Sequence, residues 1–174
     1  MQIYLSTLTE NDYETSLEAV EEAFKDVEMS NHDEQQLINK IRKSEDYNYE
    51  LEVVAKNDEG SVIGHALLSE VIIEDEQDQH TALALAPVSV LPEYRNQGLG
   101  KALIQAVEER AKNHDYDTIV VLGDPEYYQP LGYANASNYK IHSPFDIPKA
   151  YFMVKFLTDD NRPSGEVNYP SAFN

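Results

Sequence analysis

The chain predicts an α/β fold in a single domain, 1–174, and three observations carry that prediction. Strand-like and helix-like segments follow one another in the order β-α-α-β-β-β-α-β-α-β-β, with no internal repeat, low-complexity tract or linker. In the middle of the chain an apolar strand runs through a proline and a glycine-opened loop into a long amphipathic helix. At 174 residues there is enough chain for one core, and no apolar run approaches the length of a membrane span.

Residues 2–8 alternate enough for a first strand. Thr9, with Asp12 three residues on, has the form of a capping box, and the helix behind it sets Tyr13, Leu17, Val20 and Phe24 on one face. Residues 27–32 make a loop, and a second helix over about 33–44 turns Leu37, Ile38 and Ile41 inward. Two strands follow at 50–56 and 61–73, joined by the turn Asn57-Asp58-Glu59-Gly60. The acidic stretch 74–79 is a solvated hairpin tip, because it lacks the alternating oxygen ligands, central glycine and final glutamate of a calcium loop. From His80 the next strand runs to about Val90 and is stopped by Pro92, which has no N–H for a ladder bond.

Gly98 and Gly100 then open a helix whose apolar stripe is Leu99, Ala102, Leu103, Ala106 and Val107. A turn at 114–117 leads to a buried strand at 118–122. Gly123-Asp124-Pro125 reads as strand end, N-cap and first helical residue of a short helix reaching about Leu131. Gly132-Tyr133 opens a further strand, with residues 150–157 as its partner.

Composition narrows the function. With 32 acidic against 13 basic residues the net charge is −19, a field that repels nucleic acid and anionic membrane surfaces and attracts a cationic small molecule. The alternative is that the acidity serves solubility alone. No cysteine is present, which excludes disulfides, thiolate metal sites and a cysteine nucleophile. The five histidines (32, 65, 80, 114, 142) are scattered without metal-ligand spacing, so no metal site is expected. The N-terminus lacks the basic and apolar segments of a signal peptide, so a cytoplasmic protein is expected.

The stretch from Pro87 to Lys101 carries the chemistry. A loop that enters a helix through glycines turns unpaired backbone N–H groups toward one point, and the helix dipole adds positive potential there. Such a point suits a phosphate. The dinucleotide fingerprint fails because Leu103 stands where a third glycine belongs, and the spacing does not fit a Walker loop.

Arg95-Asn96-Gln97-Gly98-Leu99-Gly100 resembles the R/Q-x-x-G-x-G/A pyrophosphate loop of the GCN5-related N-acetyltransferases (GNAT). Val121-Leu122-Gly123-Asp124-Pro125-Glu126-Tyr127-Tyr128 with Leu131-Gly132-Tyr133, and the ending Gly165-Glu166-Val167-Asn168-Tyr169-Pro170-Ser171-Ala172-Phe173, are similar to the YhbS-type branch of that family. The resemblance implies a mixed, mostly antiparallel sheet of about seven strands flanked by about four helices and splayed between strands 4 and 5. Residues 158–174 would be an extension packed on it. It implies acetyl-CoA as co-substrate and an acetyl transfer to a primary amine, with a small-molecule acceptor and a monomer or homodimer expected. A coenzyme A-binding sensor without catalysis, or an enzyme using a longer acyl donor, is the alternative.

Carried over by position, the resemblance gives Val88 the thioester carbonyl, Val90 the pantetheine arm, and Arg95, Asn96, Gln97, Gly98, Leu99, Gly100 and Lys101 the pyrophosphate. The side chains of Val88 and Val90 are then strand core. Tyr128 is implied as the general acid, and Tyr127 as a packing residue. Where some relatives carry a glutamate base this chain has Ala84, and Asp124, Glu126 and His80 leave the base unassigned. The acceptor side would be built from residues 26–34 and 134–149, with Asp26, Glu28 and Glu34 available to an ammonium.

Overall fold

A computed structural model describes residues 2–28, 30–160 and 162–174; Met29 in the loop between the first two helices and Asn161 in the C-terminal extension lie outside the described residues. Among the described residues there are nine strands and four α-helices in the order β1 (Tyr4–Thr7), α1 (Tyr13–Phe24), α2 (Glu34–Arg42), β2 (Glu52–Lys56), β3 (Val62–Glu74), β4 (Gln79–Val90), α3 (Leu99–Asn113), β5 (Thr118–Leu122), α4 (Pro125–Tyr128), β6 (Ala134–Asn135), β7 (Ile141–His142), β8 (Phe152–Phe156) and β9 (Gly165–Asn168). The sheet runs β1-β2-β3-β4-β5-β8-β6, with β9 paired to both β3 and β7. Its registered ladders are antiparallel except β4–β5 and β7–β9. The expected mixed, mostly antiparallel sheet is therefore present, with two strands more than expected.

The chain forms two compact units, one of Met1–Leu68 with Pro87–Arg110, the other of Ser69–Ala86 with Ala111–Asn174. In the first unit α1 and α2 lie against one another and bury Val20, Ala23, Ile38 and Ile41. Of the expected α3 stripe Leu99, Leu103 and Val107 are buried and Ala102 and Ala106 half-buried, and Ile104, outside that stripe, is fully buried as well. Tyr13, expected on the inner face of α1, is 38% exposed; the buried line is Ser16, Val20 and Ala23. At the first position of α1 the Tyr13 ring lies instead under the Arg42 guanidinium, whose Cζ is 5.0 Å from the ring centroid. Residues 50 and 51 do not join β2: the Asn48 side chain accepts the Glu50 N–H at 3.0 Å and closes a 3-10 turn there.

The second unit packs Val71, Ile73, Ala82, Ala84, Val120, Phe152, Val154 and Val167 into one core. Strand β5 is buried on both faces except at Leu122, its last residue, which is 41% exposed rather than buried as expected. The strand expected from Gly132 begins only at Ala134, because Gly132 holds a left-handed φ of 98° that ends the preceding turn. Residues 165–168, expected within an extension, are a strand of the sheet: Ile73 pairs with Val167 and Ile72 with Asn168. A Cβ on Gly165 would lie 1.9 Å from the Glu74 carbonyl oxygen, so only glycine lets the last strand approach there.

Beneath α1 and α2 lies a buried polar network that the sequence did not announce. Both carboxylate oxygens of Glu52 are used. Oε1 accepts from Arg42 Nε (3.2 Å) and Tyr47 Oη (2.5 Å), and Oε2 pairs with Arg42 Nη2 (2.7 Å) and His65 Nε2 (2.5 Å). Arg42 also donates to Ser16 Oγ and to the Tyr13 carbonyl, so one carboxylate ties both helices to β2 and β3. Burial alone would raise the Glu52 pKa, but the His65 and Arg42 partners override it and hold it at about 2. A depressed carboxylate contributes stability that is complete above its unfolded pKa, near 4.5, and is lost as pH falls toward 2. Glu52→Gln leaves Arg42 buried without a countercharge, so it costs about 3–5 kcal/mol at pH 7 in denaturant titration. The gap between wild type and variant narrows as pH is lowered from 4.5 to 2; a constant gap would place the carboxylate's contribution elsewhere.

Candidate functional site

In the second unit the parallel ladder between β4 and β5 has only two registered positions, Leu83↔Ile119 and Ala84↔Val120, although β4 continues to Val90. That early end is the expected splay. In the first unit the Leu91 N–H donates to the Ile63 carbonyl at 2.9 Å, on the β3 side. Strand alternation therefore turns the backbone groups of Val90 and Val88 to the opposite edge. Val88 and Val90 are half-buried rather than core, while Pro87 before them and Ser89 between them are buried. The backbone, not the side chain, is what these two positions offer.

Pro92–Tyr94 then forms a 3-10 turn, and Asn96 and Gly98 both take left-handed φ angles of 62° and 81°. Gly98 is the acceptor of the first α3 bond, from the Ala102 N–H at 3.1 Å. The N–H groups of Leu99, Gly100 and Lys101 precede that first bond and have no acceptor within the helix. A Cβ on Gly98 would meet nothing within 4 Å, so the space over the loop is open. The first turn of α3 holds no acidic residue, whereas α1, α2 and α4 begin with Glu14, Glu34 and Glu126. In so acidic a chain this leaves one helix start unneutralised, and Lys101 adds a cation to it. The Arg95 guanidinium is committed to the protein: Nε donates to the Val90 carbonyl at 2.9 Å and Nη2 to the Ala23 carbonyl at 2.5 Å. It fastens the loop to the end of β4 and to the end of α1.

The tyrosine candidates belong to the second unit. Asp124 caps α4 by accepting the Glu126 N–H at 2.9 Å, and Pro125 takes the first helical position. The two adjacent tyrosines then diverge: Tyr128 is buried and Tyr127 is 44% exposed, their rings edge to face at 4.9 Å. Tyr127 is thus not the packed member of the pair. Burial pushes the Tyr128 phenol above its ordinary pKa, with Tyr127 adding to the effect, so it is protonated at neutral pH. Of the base candidates, Asp124 is used as the cap, Glu126 is exposed, and His80 Nε2 is bonded to Asp117 at 2.6 Å. Ala84 is buried between buried Leu83 and Leu85, with no carboxylate at its own position.

A third feature lies wholly in the first unit. A cavity of about 420 Å³ between α1 and α2 is lined by Glu18, Glu21, Glu22 and Glu34, with Lys25 and His32 also in its wall. Ser30 Oγ donates to Glu34 Oε2 at 2.5 Å, while Glu34 Oε1 is buried with no hydrogen-bond partner. Asp26 and Glu28 are exposed. Among the described residues no three His, Asp or Glu side chains gather as a metal site would require, and no helix is long and apolar enough to cross a membrane.

The sequence profile of the acetyltransferase (GNAT) family matches residues 14–133. Over 143 residues the chain is 33% identical to the N-acetyltransferase YhbS of Escherichia coli K12, covering 81% of this chain and 83% of that protein. It is 34% identical over 104 residues to the N-acetyltransferase YjhQ of the same organism, 58% of each chain. Among solved structures, YhbS of Escherichia coli in complex with CoA superposes with a TM-score of 0.87 at 26% identity, covering 99% of this chain and 92% of that one. A GNAT family acetyltransferase from Brucella melitensis in complex with acetyl-CoA gives 0.80 at 27% identity, covering 99% of each.

Arg95→Ala separates a tether from a ligand contact. Losing its two bonds to carbonyls costs about 1–2 kcal/mol, so the ligand-free protein melts about 2–8 °C lower by calorimetry. An unchanged ligand-free Tm would mean the guanidinium is available to a bound phosphate instead.

Proposed function

This chain belongs to the GNAT acetyltransferase family, and we propose that it transfers the acetyl group of acetyl-CoA to a primary amine of a small cationic molecule by direct attack in a ternary complex. In this reading residues 1–174 act as one acetyltransferase domain. The observation that carries it is the unneutralised start of α3, whose free N–H groups, open Gly98 and lone Lys101 fit a pyrophosphate.

Bound acetyl-CoA supplies a thioester-activated acetyl group. In the proposal the Val88 N–H polarises the acetyl carbonyl as its oxygen gains charge, and the Val90 backbone aligns the pantetheine arm. Asn96, Gln97, Gly98, Leu99, Gly100 and Lys101 hold the pyrophosphate, and Arg95 keeps their loop in place. The Tyr128 phenol, protonated at neutral pH, donates its proton to the departing thiolate. The attacking amine has to be neutral although a free alkylammonium titrates near ~10. Because Ala84 offers no carboxylate, the proposal assigns no general base. The acceptor's cationic end is assigned to the α1–α2 cavity, where Glu34 Oε1 lacks a partner and Glu18, Glu21 and Glu22 outnumber the one lysine of the wall, Lys25.

The buried apolar environment of Ala84 favours one other reading, a coenzyme A-binding sensor without turnover. A panel of spermidine, tyramine, glucosamine and lysine with acetyl-CoA, followed by free-thiol release, decides between them. The enzyme reading expects release with at least one cationic amine, and a kcat lower by about 10²–10⁴-fold in Tyr128→Phe, with Tyr127→Phe near wild type. Silence across the panel while acetyl-CoA still raises the Tm supports the sensor. Wild-type turnover in Tyr128→Phe, with chemistry rate-limiting, removes this acid.

A further inference from the structure

Gly123 has no backbone reason to be glycine. Its φ is not in the left-handed region, unlike Gly60, Gly98, Gly132 and Gly165, so an alanine meets no conformational penalty there. The three atoms nearest to such a Cβ all belong to one side chain. It would lie 2.3 Å from Cε2, 2.8 Å from Cδ2 and 3.3 Å from Cζ of Tyr128. The reason is local. The Tyr128 N–H bonds back to the Asp124 carbonyl at 3.0 Å, and a helical side chain leans toward the N-terminus of its helix, which brings the ring over residue 123.

Neither neighbour can easily give. The Gly123 N–H donates to the Tyr151 carbonyl at 2.9 Å, directly after the last registered pair of the β5–β8 ladder, Leu122↔Phe152. On its other sides the Tyr128 ring is met edge to face by Tyr127 at 4.9 Å and by Tyr133 at 5.5 Å. The glycine backbone is thus a flat rest for the ring. The six residues from Gly123 to Tyr128 form a unit in which strand end, cap, helix start and ring position are set together.

We infer that Gly123 is a positioning residue for Tyr128, whose missing side chain fixes the plane of the ring and hence the aim of its hydroxyl. The inference rests on the reading of Tyr128 as the acid that protonates the leaving thiolate. Any side chain at 123 moves the ring by about 1 Å, since carbon atoms in ordinary contact stand about 3.5–4 Å apart. A displacement of that size is enough to cost a proton transfer up to ~10²-fold.

The test is a double-mutant cycle with acetyl-CoA and the fastest amine of the panel, beside a crystal structure of Gly123→Ala. Gly123→Ala is expected to lower kcat by about 10–100-fold, while the Tm shift produced by acetyl-CoA stays at the wild-type value. In the Tyr128→Phe background the same substitution is expected to add nothing, because the ring still moves but carries no hydroxyl. In the crystal the Tyr128 ring should be displaced by about 1 Å. Wild-type turnover in Gly123→Ala, an equal loss in both backgrounds, or an unmoved ring each overturns the inference while leaving the acid reading intact. A Tyr128→Phe enzyme with wild-type turnover removes the acid reading, and this inference with it, while the crystal structure still reports the ring's position.

Discussion

A parallel ladder that stops early is the constraint on which the rest depends. After Leu83↔Ile119 and Ala84↔Val120 the strand β4 runs on for six residues without a registered partner on β5. Backbone N–H and C=O groups cannot be left without partners at no cost, so the segment has to be either solvated or bound. Pro92 prevents the strand from continuing, and the Arg95 guanidinium returns to the Val90 carbonyl to fix the chain where it leaves the sheet. The left-handed Asn96 and Gly98 then deliver it into α3 with N–H groups of the first turn uncommitted. The strand edge and the helix start each offer backbone N–H groups, and the loop between them is held by its own turn bonds and by Arg95.

Charge is distributed to the same end. A chain of net charge −19 spends its few cations carefully. Arg42 is buried against Glu52, Lys56 pairs with Asp12, and Arg95 is committed to carbonyls. Lys101 stays exposed at the start of α3, which among the described residues is the one α-helix start without an acidic residue, while four glutamates and one lysine, Lys25, line the cavity between α1 and α2. An anionic and a cationic ligand would thus be met by different parts of the chain, each with complementary local potential.

The parts of the fold that could be read from sequence are those written in local chemistry. Asp124-Pro125 announced a cap and a helix start, the Leu99–Val107 stripe announced α3, and Asn57–Gly60 announced a hairpin, because each depends on residues within one turn of each other. What stayed hidden depends on partners far along the chain. Glu52 joins Arg42 and His65 across 10 and 13 residues, and Arg95 reaches Ala23 across 72. A glutamate at an inward position of β2 and a histidine inside the apolar run of β3 were the only signs of the first. Strands β6 and β7 are two residues each, too short to show any period, and β9 exists because its ladder partner β3 is already in place. The resemblance to a family supplied the site assignments; spacing alone supplied only a phosphate-sized invitation at a helix start.

The most direct measurement is residue-resolved amide hydrogen exchange of the protein with and without acetyl-CoA. The account predicts new protection at the N–H groups of Val88, Val90 and residues 98–101, with little change in the buried ladder of β2 and β3. Protection that appears elsewhere, with these amides exchanging as fast in the complex as in the free protein, would contradict it.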